Sequence, residues 1–176
     1  MRRIAFLSAG AALLLAAACQ PSAKPQPLTG ADSTALAKVR GDYAAAWNKG
    51  NVDGVVSLYT GDALVQVADT TSLKGANAIR TYLNTALGTP TRPVLAITLG
   101  NLMGRQDLAV ETGTYTLTPP APAAPASGAA PAAPAPMAGK YMTTSMKQAD
   151  GSWKIVAESF SLDAPMPAPA PAKRGR

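Results

Sequence analysis

The sequence predicts an α+β domain: three helices, then a curved antiparallel sheet packed on them. Three observations predict it. Between residues 36 and 87 apolar residues recur mainly at three- and four-residue steps, the period of one helix face. From residue 95 onward they alternate in segments rich in threonine, which suits a pleated, half-buried surface. Helices that precede the strands, rather than punctuating them, go with an antiparallel sheet covered on one face.

Each element follows in order. Asp32, Ser33 and Thr34 offer capping oxygens for a first helix. Its buried stripe is Leu36, Val39, Tyr43, Ala46 and Trp47, and Gly50 is placed to end it. Asn51 can cap a short second helix over 52–59 that buries Val55, Val56, Leu58 and Tyr59. Residues 60–62 read as a turn, 64–67 as a short strand and 68–71 as another turn. From Ala76 a third helix shows Ile79, Tyr82, Leu83, Ala86 and Leu87 on one face, and Gly88 and Pro90 stop it. Leu95, Ile97 and Leu99 alternate with small residues, and residues 104–107 turn the chain. Strands are expected over 108–118, 139–148 and 153–162, with a hairpin turn at 149–152.

Two segments do not suit a packed domain. Residues 119–136 comprise seven Pro, nine Ala, one Ser and one Gly. So many prolines remove donors and block the helix that alanine would favour, which leaves polyproline II or an unstructured chain. With Met137 and Ala138 this makes an insert over 119–138, between two strands that would otherwise form a hairpin. Residues 164–176 repeat the Ala/Pro habit and end in Lys173, Arg174 and Arg176. Both read as tolerated low-complexity sequence at a loop tip and a terminus.

The N-terminus carries a different signal. Met1-Arg2-Arg3 precedes an uncharged apolar run from Ile4 to Ala18. That run is too short to span a bilayer and has the form of a signal-peptide core. It ends at Leu15-Ala16-Ala17-Ala18-Cys19, which resembles a bacterial lipobox. The resemblance implies cleavage after residue 18 and lipid on Cys19, the single cysteine of the chain. The alternative is an ordinary signal peptide that leaves Cys19 a free thiol. With Gln20 next, the expected destination is the periplasmic side of the outer membrane. Residues 19–31, with Pro21, Pro25 and Pro27, then read as a tether, and residues 32–163 as the domain.

The formal charge of +6 says little about partners. Five of the sixteen Lys and Arg lie in the leader and the extreme tail, leaving eleven against ten acids in the remainder. A nucleic-acid binder concentrates its positive charge on a folded face, so no nucleic-acid partner is expected.

Tyr43-Ala-Ala-Ala-Trp47-Asn48-Lys-Gly50, continuing through Asp53, Leu58-Tyr59 and Asp62-Ala63, resembles the N-terminal signature of the SnoaL-like, nuclear transport factor 2-like superfamily. Gly75-Ala76-Asn77-Ala78-Ile79-Arg80 resembles its entry to the third helix. Gly113-Thr-Tyr115, Gly139-Lys-Tyr141 and Asp150-Gly-Ser-Trp153-Lys-Ile155-Val resemble the C-terminal hairpin of a branch of unknown function. The resemblance implies a cystatin-like cone: a curved antiparallel sheet on three helices, with a pocket at the open end and homodimers through the outer sheet face. The superfamily puts that pocket to many uses, so function has to be argued from the site.

There is no histidine, which removes the commonest metal ligand and the commonest base near neutral pH. No metal site and no cofactor are expected. In steroid-isomerase relatives a helix tyrosine donates to the oxyanion and a strand aspartate acts as base. The resemblance places that tyrosine at Tyr43, the base at Val67, and a second donor near Thr143 or Thr144. Glu111 and Glu158 are the acids to weigh as ligand anchors or acid/base groups, provided that their strand faces line the pocket. Alternation leaves the face open: Glu158 aligns with Val156, Phe160 and Leu162, while Trp153, Ile155 and Ala157 on the other face are as apolar. Trp47, Tyr59, Tyr82, Tyr115, Met142 and Phe160 are expected to supply apolar walls. The sequence thus points to a non-catalytic binding or dimerisation domain for a small apolar or amphipathic ligand. The alternative is a proton-transfer isomerase or dehydratase using Glu111 or Glu158.

Overall fold

The computed structural model describes residues 24, 26–68, 70–89, 91–121 and 135–164. The leader, Cys19, most of the Ala/Pro insert and the tail after residue 164 lie outside the described residues.

Helix α1 (Gly30–Lys49) begins earlier than the sequence suggests. Its N-cap is Thr29, whose hydroxyl accepts from the Asp32 amide at 3.2 Å, while the Asp32 carboxylate accepts from the Thr29 amide at 3.0 Å. Asp32 is therefore the third helical residue of a capping box rather than the cap itself. Lys147 also donates to Asp32 at 2.7 Å. The Lys147 and Thr29 hydrogen bonds hold the Asp32 carboxyl well below the usual carboxylate range. Gly50, with φ of 69°, closes the helix in the left-handed conformation that glycine takes without strain.

Helix α2 (Val52–Val56) is shorter than expected, and Tyr59 is not helical: it opens strand β1 (Tyr59–Val67). The backbone there bonds to the sheet instead, with the Ile155 amide donating to the Leu58 carbonyl at 2.9 Å. Strand β2 (Leu73–Lys74) and helix α3 (Gly75–Leu87) follow. Then come β3 (Val94–Arg105), β4 (Leu108–Thr118), β5 (Met137–Lys147) and β6 (Trp153–Leu162). The six strands form one sheet in the order β2-β1-β6-β5-β4-β3. The meander β3 to β6 is antiparallel, as is the β1–β2 pair, and β1 lies parallel to β6.

Two irregularities set which side chains face the helices. Between β3 and β4 the register slips at Gly100, and between β5 and β6 it slips at Val156. An extra residue reverses the alternation and sharpens strand twist. Trp153 and Ile155 are therefore buried before the slip, and Glu158 is buried after it. Both apolar faces that alternation offered for β6 are inner faces, each over half of the strand.

The main core joins α1, α2 and α3 to the inner sheet face through Tyr43, Val55, Ala63, Ile79, Leu83 and Leu95, among others. A second cluster of Leu36, Ala109 and Trp153 closes the end of the sheet at the β3–β4 hairpin, with Leu28 against it. There the presumed tether is not wholly detached. Pro27 bridges to Arg105, and the Gln106 amide donates to the Gln26 carbonyl at 2.9 Å. The insert is also shorter than 119–138, since Met137 and Ala138 belong to β5.

Candidate functional site

Sequence fixes the site locally through α1. Arg40, Tyr43 and Trp47 follow Leu36 at four-, three- and four-residue steps, so the stripe that buries the helix also aims polar tips into the domain. Asn48 pins that helix to β3, donating to the Leu95 carbonyl at 3.0 Å and accepting from its amide at 2.8 Å. The Trp47 indole donates to the Pro93 carbonyl at 3.2 Å.

Between the helices and the inner sheet face lies a cavity of about 320 Å³. Tyr43, Trp47, Tyr59, Tyr82, Tyr115 and Phe160 all line it, together with Leu83, Leu117 and Met137. The rings brace one another. Tyr43 stacks on Trp47 with centroids 6.4 Å apart and meets Tyr59 edge-on at 6.3 Å, and Tyr115 meets Phe160 edge-on at 5.8 Å. Met142 is the exception. It stands on the outer face of β5, 53% exposed, because Tyr141 and Thr143 on either side of it point inward. Val67, where the resemblance places the base, is an apolar part of the cavity wall.

Deeper in the domain a compartment of about 20 Å³ is bounded by Arg40, Glu111, Tyr141, Thr143 and Glu158, with Tyr43, Tyr115 and Phe160 shared between the two spaces. Both candidate acids are thus buried, Glu111 at 5% exposure and Glu158 at 6%. Glu111 is paired with Arg40 from α1. Burial raises its proton affinity, and the guanidinium opposes the rise. Among the described residues no cation pairs with Glu158. It accepts from the Tyr59 hydroxyl and from the Thr143 hydroxyl, the latter at 3.0 Å. Burial pushes its carboxyl up to about 7; the two hydroxyl donors restrain the rise and nearby Glu111 adds to it. The Tyr43 hydroxyl lies 3.5 Å from that of Tyr59. Burial holds both phenols well above their ordinary value, with the Glu158 charge adding to it.

Arg40 and Tyr141 of this floor, and Asn48 that pins α1 beside it, had no assigned part in the sequence reading, while Thr143, near which the resemblance places a second donor, points inward and donates to Glu158. Arg40 left a signal, as a cation within the apolar stripe of α1. Cys19 lies outside the described residues. Among the described residues no three His, Cys, Asp or Glu side chains gather as a metal-binding set.

Comparison with known proteins agrees with this fold. A profile of the SnoaL-like domain matches residues 41–156. Among solved structures, a ketosteroid isomerase-like protein from Erwinia carotovora atroseptica superposes with a TM-score of 0.63 at 18% identity, covering 78% of this chain and 100% of that one. A protein of unknown function with a cystatin-like fold from Nostoc punctiforme gives 0.60 at 17% identity, over 77% of this chain and 94% of that one. A nuclear transport factor 2-like protein of unknown function from Pseudomonas putida gives 0.62 at 16%, over 79% and 92%. At such identities the likeness speaks for the fold alone. No curated protein matches the chain.

Proposed function

This chain belongs to the SnoaL-like domain family, and from that premise we propose that its domain is a binding module, holding one small apolar or amphipathic molecule without transforming it. One observation carries the reading: the large cavity is walled by aromatic and aliphatic side chains, while the carboxyl of Glu158 lies outside it, in a compartment of about 20 Å³. A general base must come within hydrogen-bond reach of the proton it takes. A space that admits one water-sized group leaves no place for a carbon acid beside Glu158. Isothermal titration of the domain with 2-methylnaphthalene tests the reading. Saturable binding is expected, and it should disappear in Thr70→Trp, which fills the cavity from an exposed wall position. Equal binding in the variant would place the ligand elsewhere.

A second reading, proton transfer, has one observation in its favour: a buried carboxyl near 7 with two tyrosine hydroxyls in line. The ketosteroid isomerase-like neighbour suggests substrates to try. A panel of enolisable ketones assayed with wild type, Glu158→Gln and Glu111→Gln decides between the two. Turnover abolished by either substitution would replace the binding reading and identify the base.

The module is placed, in this proposal, on the periplasmic side of the outer membrane by lipid on Cys19. Cys19→Ala should yield an unprocessed or soluble product, and a variant that still fractionates with membranes at mature mass refutes the anchor. A homodimer fits the outer sheet face, where Met103, Leu108, Met142 and Met146 are exposed on neighbouring strands.

A further inference from the structure

The floor of the cavity contains a polar atom that the fold does not use. Tyr141 is only 7% exposed, and among the described residues its hydroxyl finds no hydrogen-bond partner. Buried hydroxyls are nearly always paired, so an orphan calls for an explanation. Tyr141 bounds the small compartment together with Glu158, Glu111 and Arg40. Tyr43, Tyr115 and Phe160 bound both this compartment and the large cavity, so a molecule in the larger space lies next to the smaller one.

Resting on the binding reading above, we propose that the ligand is a neutral apolar molecule bearing one hydroxyl, with its body in the large cavity and its hydroxyl in the small compartment between Tyr141 and Glu158. Size is the first reason. The compartment measures about 20 Å³, against the ~10–15 Å³ that one water-sized oxygen requires. A single oxygen enters; the two oxygens of a carboxylate do not. Hydrogen-bonding capacity is the second reason. The Tyr141 hydroxyl can donate, and the Glu158 oxygens keep lone pairs beyond those used by Tyr59 and Thr143. An alcohol accepts from the first and donates to the second. A ketone or ether can only accept, and a hydrocarbon does neither.

Charge is the third reason. The ionisable groups facing the compartment are Arg40 from α1, Glu111 from β4 and Glu158 from β6, with the phenols of Tyr43 on α1, Tyr115 on β4 and Tyr141 on β5. Arg40 is already paired with Glu111. Among the described residues of the lining no uncommitted cation is left to receive an anion, and Glu158 repels one whenever it is ionised.

The test uses one skeleton with three end groups: 2-naphthylmethanol, 2-methylnaphthalene and 2-naphthoate, titrated calorimetrically into the full chain and into Tyr141→Phe. The alcohol should bind about tenfold tighter than the hydrocarbon, the scale of one or two well-formed hydrogen bonds. The carboxylate should bind weaker than either. In Tyr141→Phe the alcohol should fall close to the hydrocarbon, while the hydrocarbon keeps its wild-type affinity, which also shows that the variant is folded. If alcohol and hydrocarbon bind wild type equally, or the carboxylate binds best, the hydroxyl proposal is overturned while the binding reading stands; a bridging water is then the partner of Tyr141. If none of the three binds, the binding reading fails as well. Should Tyr141→Phe not fold, the order of the three ligands on the wild type decides alone.

Discussion

Replacing Glu158 with glutamine should make the domain less sensitive to pH and more stable in mild alkali. The carboxyl has its ordinary value of 4.5 in the unfolded chain and about 7 in the folded one, chiefly because burial penalises the charge. A group that holds its proton more tightly in the folded state stabilises that state below the unfolded value, and loses the contribution as pH rises through the folded value. A difference of that size corresponds to about 3 kcal/mol, lost progressively between pH ~4.5 and ~7 and absent above. Glutamine keeps an acceptor for the Tyr59 hydroxyl and has no charge to bury. Urea unfolding of wild type and Glu158→Gln at about pH 5 and about pH 8 should therefore show wild-type stability falling by roughly 2–3 kcal/mol more than that of the variant. Glu111, also raised by burial, adds the same sign to both proteins and cancels in the comparison. Asp32, shifted down, titrates below this window. If the two proteins lose stability in parallel, Glu158 is solvated and the floor of the cavity is wrongly described.

Arg40→Ala should cost roughly 3–5 kcal/mol in the same assay, because it strands the Glu111 charge in the interior. Gly139→Ala should lower the melting temperature and loosen the cavity, since a Cβ there would lie 2.3 Å from the Ser161 carbonyl and 2.5 Å from the Tyr115 ring. Near-ultraviolet circular dichroism should record the displaced ring, and an unchanged spectrum would refute the contact. Replacing residues 122–134 with a short Gly/Asn turn should leave stability within about 1 kcal/mol, because loop closure depends only weakly on length; a fall of many degrees in melting temperature would show that the insert packs on the domain. Met142→Lys, on the outer sheet face, should shift sedimentation from dimer to monomer with little change in ligand affinity; a wild type that sediments as a monomer at all concentrations removes the dimer.

The elements were largely legible because their periods are. The bounds of β4 and β6 follow directly from alternation, and the stops at Gly50 and Gly88 from glycine and proline chemistry. Misplaced boundaries have local causes. Thr29 was available as a cap, but Asp32-Ser33-Thr34 offered nearer oxygens, and only the reciprocal bonds of a capping box distinguish them. Tyr59 carries an apolar side chain that suits a helix end or a strand start equally. The edge of β6 decided between them by accepting β1 alongside it.

The site was less legible, because around it the usual sidedness of a strand is inverted. On β5 the inward residues after Gly139 are Tyr141, Thr143 and Ser145, while Met142 and Met146 face out. Reading apolar as inside therefore assigned Met142 to the cavity and gave Tyr141 no role, and only the resemblance pointed to Thr143 or its neighbour Thr144. On β6 the slip at Val156 made both faces apolar in sequence, so the same rule could not place Glu158. These two departures share one origin. A strand that lays hydroxyls against a buried carboxyl, and methionines toward solvent, forgoes ordinary core packing on one face and an ordinary wet surface on the other. Sequences break local rules of this kind chiefly at functional positions. The inner departure makes the polar floor that Tyr141, Thr143 and Glu158 share. The outer one leaves an apolar surface, the face on which the proposed homodimer rests and which Met142→Lys tests.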